Sequence, residues 1–582
     1  MLVLQDLNKA VPMVMIQRGI TRFAGALSGV GLLLGTLFFA ASLTPTLIPR
    51  TYILQGLLAG ISFATGYGLG VMWRWLWAYM ELPEPGAHMR HSVNLAVFAS
   101  CMVVAGLFLW QAADWQNSIR LLMDMAPVDS AHPLKVCVIA VATFIVLRWL
   151  ARLFGRVADI VSERTHRYVP RRLANVLGLT VAIFLFWSLA SGVFFRGLLF
   201  MMDSSYRQRD ALFEPSRPRP ESPLRSGSEA SLMKWNELGR AGREFIASGP
   251  EAQDIAAFTG RPAQEPIRVY AGLRAAETPQ QRATLALEEL KRMGAFERSV
   301  MVVITPTGTG WIDPAAMDTL EYLHEGDVAS VAVQYSYLSS PLSLAVEPEY
   351  GVDVARALFV EIYEYWTRLP KQNRPRLYLH GLSLGAYNSE RSAQLFEIIA
   401  DPIDGAVWSG PTYQNMLWRS ITADRNEDTP AWLPEFHDGT LIRFMNQKGP
   451  TVPPDTPWGP IRVVYLQYAS DPVTFFDPRG FYRPPAWMDT PRAADVSPEL
   501  RWYPIVTMLQ LALDMMLAGT TPMGYGHVYA PAHYIPAWVA VTEPQGWTDA
   551  TLSELGQHLT DSMNRALSDH PNEETPFANR GG

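Results

Sequence analysis

The chain has 582 residues, which is room for about three domains of ordinary size and for a large buried core that needs no disulfide or metal. Hydrophobic residues make up 49% and charged residues only 18%, which excludes a disordered chain, a coiled coil and a nucleic-acid binder that relies on bulk positive charge. The net charge of −7 hides two halves: residues 1–202 hold 16 Lys/Arg and 8 Asp/Glu, net +8, and the remainder holds 32 and 47, net −15. A basic, apolar front joined to an acidic, mixed back predicts a membrane anchor carrying a water-soluble domain.

In chain order, residues 23–49 carry no Asp, Glu, Lys or Arg over 27 positions, and 51–73, 91–113 and 173–195 carry none over 23 positions each. About 20 apolar residues cross a 30 Å hydrocarbon core, so these four segments are expected to span a membrane. A fifth, around 133–150, is the weakest, with a charge-free run of 12 residues (136–147) and with Lys135 and Arg148 placed to snorkel. The first segment exceeds the apolar core of a signal peptide and is expected to be retained. No charged residue lies mid-span in the four clear segments, which argues against an ion pathway. Trp73, Trp75, Trp77, Trp110 and Trp149 sit near span ends, as interfacial anchors do.

Basic residues alternate between the connections. Lys9, Arg18 and Arg22 precede the first segment, Arg74 and Arg90 follow the second, and seven arginines from Arg148 to Arg172 follow the fourth. The opposite loops hold only Arg50, Arg120 and Lys135. Positive residues stay on the cytoplasmic side, so a multi-pass protein of the inner (cytoplasmic) membrane is expected, with the soluble domain outside after five crossings. Cys101 and Cys137 are the only cysteines, so the soluble part has neither a disulfide framework nor a Cys-rich zinc site. The domains expected are a membrane domain at 1–202, a linker and connecting helix at 203–262, a catalytic-type domain at 263–570 and a tail at 571–582.

After the Pro/Ser/Arg-rich stretch 203–230 and a helical stretch near 231–247, short β-branched runs appear at 267–273, 299–305, 328–335, 376–380, 404–409 and 461–468. Helical patterns at 279–293, 313–324, 351–368 and 385–399 lie between them. Continuous apolar strands alternating with helices predict a mostly parallel sheet covered on both faces. Residues 411–460 interrupt this pattern and are expected to form an insertion capping the sheet's C-terminal edge.

Residues 381–385 read Gly-Leu-Ser-Leu-Gly, between a strand and a helical pattern at about the fifth strand. This is the G-x-S-x-G nucleophile elbow: the serine sits on a sharp turn, small neighbours let the turn close, and the hydroxyl projects at a helix N-terminus. The pattern alone arises by chance roughly 0.2 times in such a chain; its strand–helix setting makes it specific. Ser383 is therefore the candidate nucleophile. A serine hydroxyl needs a histidine base oriented by a carboxylate, in the chain order Ser, acid, His. Asp471, after the last strand, is the candidate acid, with Asp477 as competitor and a turn-initiating Asp-Pro pair as the plainer role. Of the four later histidines, His527 lies in a glycine-rich loop suited to a base; His533 is the alternative, and His558 and His570 lie in a helix and a tail. His380 and His437 are expected to be structural. For the oxyanion, the Leu384 N–H is expected to pair with Thr307 or Gly308 of the Pro306–Trp311 loop, taken as the loop after the third strand. That loop lacks the Lys-Ser/Thr ending of a phosphate-binding loop. Trp418, Trp432, Trp458, Phe475 and Phe476 either line an apolar pocket or pack the core.

These residues resemble the bacterial membrane-anchored α/β-hydrolase family, a largely uncharacterised group that joins an N-terminal multi-span domain to a hydrolase-like domain. The resemblance covers nearly the whole chain and is carried by WNELGRAGREFIASGP (235–250), EPIRVYAGL (265–273), PTGTGW (306–311), QYSYLSS (334–340), GLSLGAYNSE (381–390) and GYGHVY (524–529). It implies an α-helical transmembrane bundle followed by an α/β-hydrolase fold, and a serine nucleophile at Ser383. The expected activity is a cofactor-free and metal-free serine hydrolase acting on an ester or thioester from a lipid or the cell envelope. Its expected partners are the lipid bilayer and that acyl substrate, with no nucleic acid. The alternatives are an acyltransferase using the same acyl-enzyme and a catalytically degenerate membrane scaffold.

Overall fold

The computed structural model describes residues 27–83, 86–188, 210, 218–338, 340, 343, 349–453 and 455–569. The end of the fifth expected span, most of the stretch 203–217, His570 and the expected tail lie outside the described residues. The chain divides into two compact units. One holds residues 1–186 with 479–484 and 497–513; the other holds 187–478, 485–496 and 514–582.

The first unit is helical: α1 (Gly29–Leu43), α2 (Tyr52–Tyr79), α3 (Ala87–Leu122), α4 (Pro133–Thr165) and α5 (Arg171–Trp187). Ser28 and Thr51 cap α1 and α2 by accepting the N–H groups of Gly31 and Leu54. Small residues let the backbones meet: a Cβ on Gly66 would sit 2.5 Å from Leu34 O, and one on Gly60 would sit 2.7 Å from Ala140 O. Gly35 faces Phe63 and Gly31 faces Tyr67, so α1 and α2 run antiparallel. Gly56 faces Ile139 and Gly60 faces Thr143, so α2 and α4 run parallel.

Three of the described helices are long and apolar enough to cross a membrane, at Tyr52–Tyr79, Met89–Leu122 and Pro133–Thr165, where five spans were expected. The segment around 133–150, expected to be weakest, is one of them, because Lys135 and Arg148 lie inside a 33-residue helix rather than bounding a short one. The first expected segment yields a helix of only 15 residues. Its chain leaves the helix at Thr44, ahead of Pro45 and Pro49, and residues 44–50 run as buried irregular backbone. Gln510, from the stretch 497–513, donates Nε2 to the carbonyls of Ser42 (3.2 Å) and Thr44 (3.0 Å), which the end of α1 leaves open. Nothing in the residue pattern of 497–513 announced that it would group with the helical unit.

The second unit is built on eight strands: β1 (Ile267–Ala271), β2 (Val300–Thr305), β3 (Val328–Val333), β4 (Arg376–Leu382), β5 (Gly405–Ser409), β6 (Ile442–Asn446), β7 (Gly449–Pro450) and β8 (Arg462–Leu466). Their order is β1-β3-β2-β4-β5-β8-β6-β7, and every pairing is parallel except that of β7 with β6. All six expected strands are present. The helices α6 (Gly239–Ser248), α7 (Ala252–Thr259), α8 (Pro279–Arg292), α9 (Pro314–Leu323), α10 (Tyr350–Arg368), α11 (Leu384–Ser392) and α12 (Leu395–Ile398) precede β5 or flank the strands before it. Then come α13 (Met416–Ala423), α14 (Pro472–Phe475), α15 (Val506–Leu517), whose residues through Leu513 belong to the helical unit, α16 (Pro531–Thr542) and α17 (Asp549–Asp569). The insertion 411–460 is more than a cap: after α13 it supplies β6 and β7, and β6 pairs with β8 from Ile442↔Val463 to Met445↔Leu466. The elbow follows the fourth strand, not the fifth, and the Pro306–Trp311 loop follows the second, not the third.

Beneath the sheet, Arg268 on β1 is 1% exposed and holds Glu321 through Nε (2.8 Å) and Nη2 (2.7 Å), with Asp318 at 2.6 Å and Phe245 O at 2.6 Å. Two carboxylates oppose the charge and four hydrogen bonds hold the guanidinium, which is the condition for burying an arginine. Register sets what stands at the other edge. Thr305 pairs with Gly381, Leu382 with Ser409, and Ser409 with Leu466. Four adjacent parallel strands thus end level, and the four loops that follow them leave the sheet at the same edge.

Candidate active site

Ser383 follows β4 and caps α11 with φ 60° and ψ −122°, a conformation that costs an L-residue on the order of 1–3 kcal/mol. Its hydroxyl makes no capping bond to the helix it precedes. Both flanking glycines are obligatory for packing. A Cβ on Gly381 would lie 2.4 Å from the carbonyl carbon of Gly385, and one on Gly385 would lie 2.3 Å from Thr305 O. Ser383 N–H donates to Ser409 O at 3.0 Å, which ties the elbow to the end of β5. The serine is 6% exposed.

Asp471 follows β8 and is fully buried. Its two oxygens divide the work. Oδ1 accepts the Val473 N–H at 2.9 Å and so caps α14, the role an Asp-Pro pair has by itself. Oδ2 lies 2.6 Å from His527 Nδ1 and accepts the Tyr529 O–H at 2.9 Å. His527 is held from its backbone as well, donating its N–H to Ala518 O at 3.0 Å. Gly526 donates to Ser470 Oγ at 3.0 Å, so the glycine-rich loop is pinned to the residue before the acid. The imidazole rests on Gly410, where a Cβ would meet His527 Cε1 at 2.6 Å. Gly410 follows Ser409, the residue that accepts the Ser383 N–H, so histidine and serine converge on the end of the same strand.

Leu384 is the first residue of α11, so its N–H has no intrahelical acceptor. The loop donors differ from expectation. Thr307 N–H donates to Trp311 O at 2.9 Å, and Gly308 N–H donates to Ser340 Oγ at 3.1 Å. One or the other was expected to face a ligand; in this conformation each is used to close the loop. A Cβ on Gly308 would lie 2.6 Å from Ser340 N, which is why a glycine stands there.

The competing residues have other partners. His533 Nδ1 lies 2.5 Å from Tyr468 Oη, and burial lowers the His533 pKa to about 4. His380 Nδ1 lies 2.7 Å from Val407 O between Tyr534 and Trp538, and burial brings its pKa to about 4. His558 packs on Phe258 with Nε2 3.4 Å from Tyr322 Oη, and His437 meets the Phe436 ring edge-on. Trp418 and Phe475 are core residues, Trp418 donating to Gln467 Oε1 at 2.7 Å; Trp432 donates to Pro491 O, Phe476 packs on Tyr413 and Trp458 lies under Arg443.

A buried layer of phenols behind the acid was not foreseen. Tyr529 stacks on Tyr468 at 4.3 Å, and Tyr534 bridges Ser409 Oγ (2.7 Å) and Asp313 Oδ2 (3.0 Å). Burial raises the Asp313 pKa to about 7, against the pull of the Tyr534 and Ala315 hydrogen bonds. Burial, followed by the Asp471 charge, pushes the Tyr529 phenol well above its ordinary range, so it stays a donor. Tyr529 stands two residues after His527, the one trace of this layer in the motif. No group of three or more His, Cys, Asp or Glu among the described residues is placed to hold a metal ion.

Two family profiles match the chain, one described as an alpha/beta-hydrolase family over residues 267–555 and one as the N-terminus of an alpha/beta-hydrolase family over 43–250. No curated protein and no solved structure matches. With the strand order, the elbow after β4 and the order serine, acid, histidine along the chain, the two matches lead to one assignment: this chain belongs to an alpha/beta-hydrolase family that has its own distinct N-terminal region.

Proposed function

We propose that the chain is a membrane-anchored serine hydrolase that cleaves an ester or thioester. The observation that carries this reading is the 2.6 Å approach of His527 Nδ1 to Asp471 Oδ2, on the sheet edge where the Ser383 elbow stands. With Nδ1 bonded to the carboxylate, Nε2 is the nitrogen that takes the Ser383 proton as Oγ attacks the acyl carbon. The tetrahedral oxyanion meets the Leu384 N–H and the positive end of α11. Collapse expels the alcohol or thiol, which leaves with the proton from Nε2, and an acyl-serine remains. Water, deprotonated by the same nitrogen, releases the acid and restores Ser383. Gly308 becomes the second oxyanion donor when Ser340 Oγ turns away from its N–H.

Three apolar helices support the anchoring. The arginine pattern requires α4 to cross in the same direction as α2, and the two run parallel, in keeping with a cytoplasmic-membrane protein whose hydrolase domain faces outward. An acyl substrate from a lipid or the envelope would then lie within reach of the site. The test is covalent labelling of full-length protein in detergent with a fluorophosphonate probe. Labelling that is lost in Ser383→Ala supports the proposal; folded wild-type protein that resists the probe overturns it in favour of a scaffold. Release of free acid without an added alcohol separates hydrolysis from acyl transfer.

A further inference from the structure

In the helical unit a cavity of about 570 Å³ opens among α1, α2 and α4. Three arginines line it, Arg74 from α2 and Arg148 and Arg152 from α4. Tyr67 forms its inner wall: Arg148 Nη1 donates to Tyr67 Oη at 2.7 Å, with the guanidinium 5.3 Å from the ring centre, and Ser28 N–H donates to the same oxygen at 3.2 Å. Tyr67 is 9% exposed, and with its oxygen accepting twice, the phenol's remaining role is that of donor. The rest of the lining is largely apolar, with Val71, Ala78, Ala151 and, as its largest side chain, Trp75.

The level of this cavity along the helices follows from helical rise. Arg74 lies 22 residues from the start of α2, about 33 Å, and Arg148 and Arg152 lie 15 and 19 residues from the start of the parallel helix α4, about 22 and 28 Å. A hydrocarbon core is about 30 Å thick, so the three cations gather where it ends. Trp73, Trp75 and Trp77, all exposed, mark the same level of α2, the depth at which indoles prefer the headgroup region.

We propose that this cavity binds the phosphate of an anionic phospholipid headgroup, with Arg74, Arg148 and Arg152 facing the phosphate oxygens, Tyr67 donating from below, and the lipid's glycerol and acyl carbons along the Trp75 wall. Guanidinium groups suit phosphate geometry, and basic pockets between helices at the membrane surface recognise anionic headgroups. This site is separate from the serine chemistry and stands or falls without it, though it rests on α2 and α4 being spans.

The experiment uses the full chain in a neutral detergent, with thermal unfolding followed as phosphatidylglycerol, phosphatidylcholine or inorganic phosphate is added. A ligand that binds only the folded state raises the melting temperature in a saturable way. Phosphatidylglycerol is expected to raise it and phosphatidylcholine to leave it unchanged, with the response abolished in the double variant Arg74→Gln/Arg152→Gln and retained in Arg167→Gln. Arg74 and Arg152 are exposed, so the double variant should fold; if it does not, the single variants are each expected to weaken the response several-fold. Equal shifts from both lipids, or a full response in the variants, overturn the site. A shift of the same size from inorganic phosphate alone overturns the lipid in favour of a free anion.

Discussion

Tyr529 Oη lies 2.9 Å from Asp471 Oδ2, the same oxygen that faces His527 Nδ1 at 2.6 Å. The phenol and the imidazole therefore draw on one lone-pair region, and the carboxylate's hold on the histidine is set partly by the tyrosine. Removing the phenol O–H in Tyr529→Phe leaves Oδ2 richer in electron density and better able to stabilise an imidazolium. The acidic limb of the labelling rate against pH should move to higher pH, with a loss at neutral pH of less than about tenfold, in line with about 1 kcal/mol for one hydrogen bond. A purely structural role for Tyr529 would lower the rate equally at all pH values, which the same profile would reveal.

Asp471→Asn keeps the shape of the acid and the cap of α14 but favours the wrong imidazole tautomer. Fluorophosphonate labelling should slow by about 10³–10⁴-fold while the protein remains folded. Near-wild-type labelling would remove Asp471 from the triad.

Gly385→Ala places a methyl group 2.3 Å from Thr305 O, a contact with a main-chain oxygen that no rotamer relieves. Loss of stability of at least about 2–3 kcal/mol is expected, with labelling reduced in whatever folds, because the elbow and the Pro306 loop are pushed apart. Chemical denaturation followed by tryptophan fluorescence measures it.

Arg268→Ala should destabilise the hydrolase unit by about 3–5 kcal/mol, because Glu321 is left buried with its charge unmatched. Adding Glu321→Gln to that variant should recover part of the loss. If the double variant is no better than the single, the cost lies in lost packing and not in charge.

His380 supplies a pH dependence whose sign follows from its lowered pKa of about 4. Between that value and the ordinary one near 6.5, the unfolded state binds a proton that the folded state does not. Stability is therefore complete above about pH 6.5 and falls as pH drops toward 4, by at most about 3 kcal/mol for this group. His380→Asn should flatten that part of the curve of melting temperature against pH. An unchanged slope would show that other groups carry it.

The strands, the helices between them and the elbow were legible in the residue pattern, because each is set by neighbours in the chain. A parallel strand buried on both faces must be a continuous apolar run, and the turn at Ser383 needs small residues on both sides. The three candidate chemical residues were also named, through motif order. The phenol layer was not, since Tyr468, Tyr529 and Tyr534 look like ordinary core aromatics until the loops after β8 bring them together. The Thr307 and Gly308 donors misled for a related reason. Two glycines announce close approach of a backbone, but not that the approaching group is Ser340.

The helical half shows the same division. Counting charge-free residues located its apolar segments, yet only packed helices revealed that α4 continues through Arg148 and that α1 stops after 15 residues. Local sequence, then, determined the two-part nature of this protein, its mostly parallel sheet and which serine, aspartate and histidine stand as candidates, because hydrophobic burial and turn sterics act over a few residues. Tertiary structure alone decided which oxygen of Asp471 meets His527, what occupies the oxyanion loop's donors, and where three arginines gather around Tyr67. Those are contacts between segments tens to hundreds of residues apart, and no periodicity along the chain encodes them.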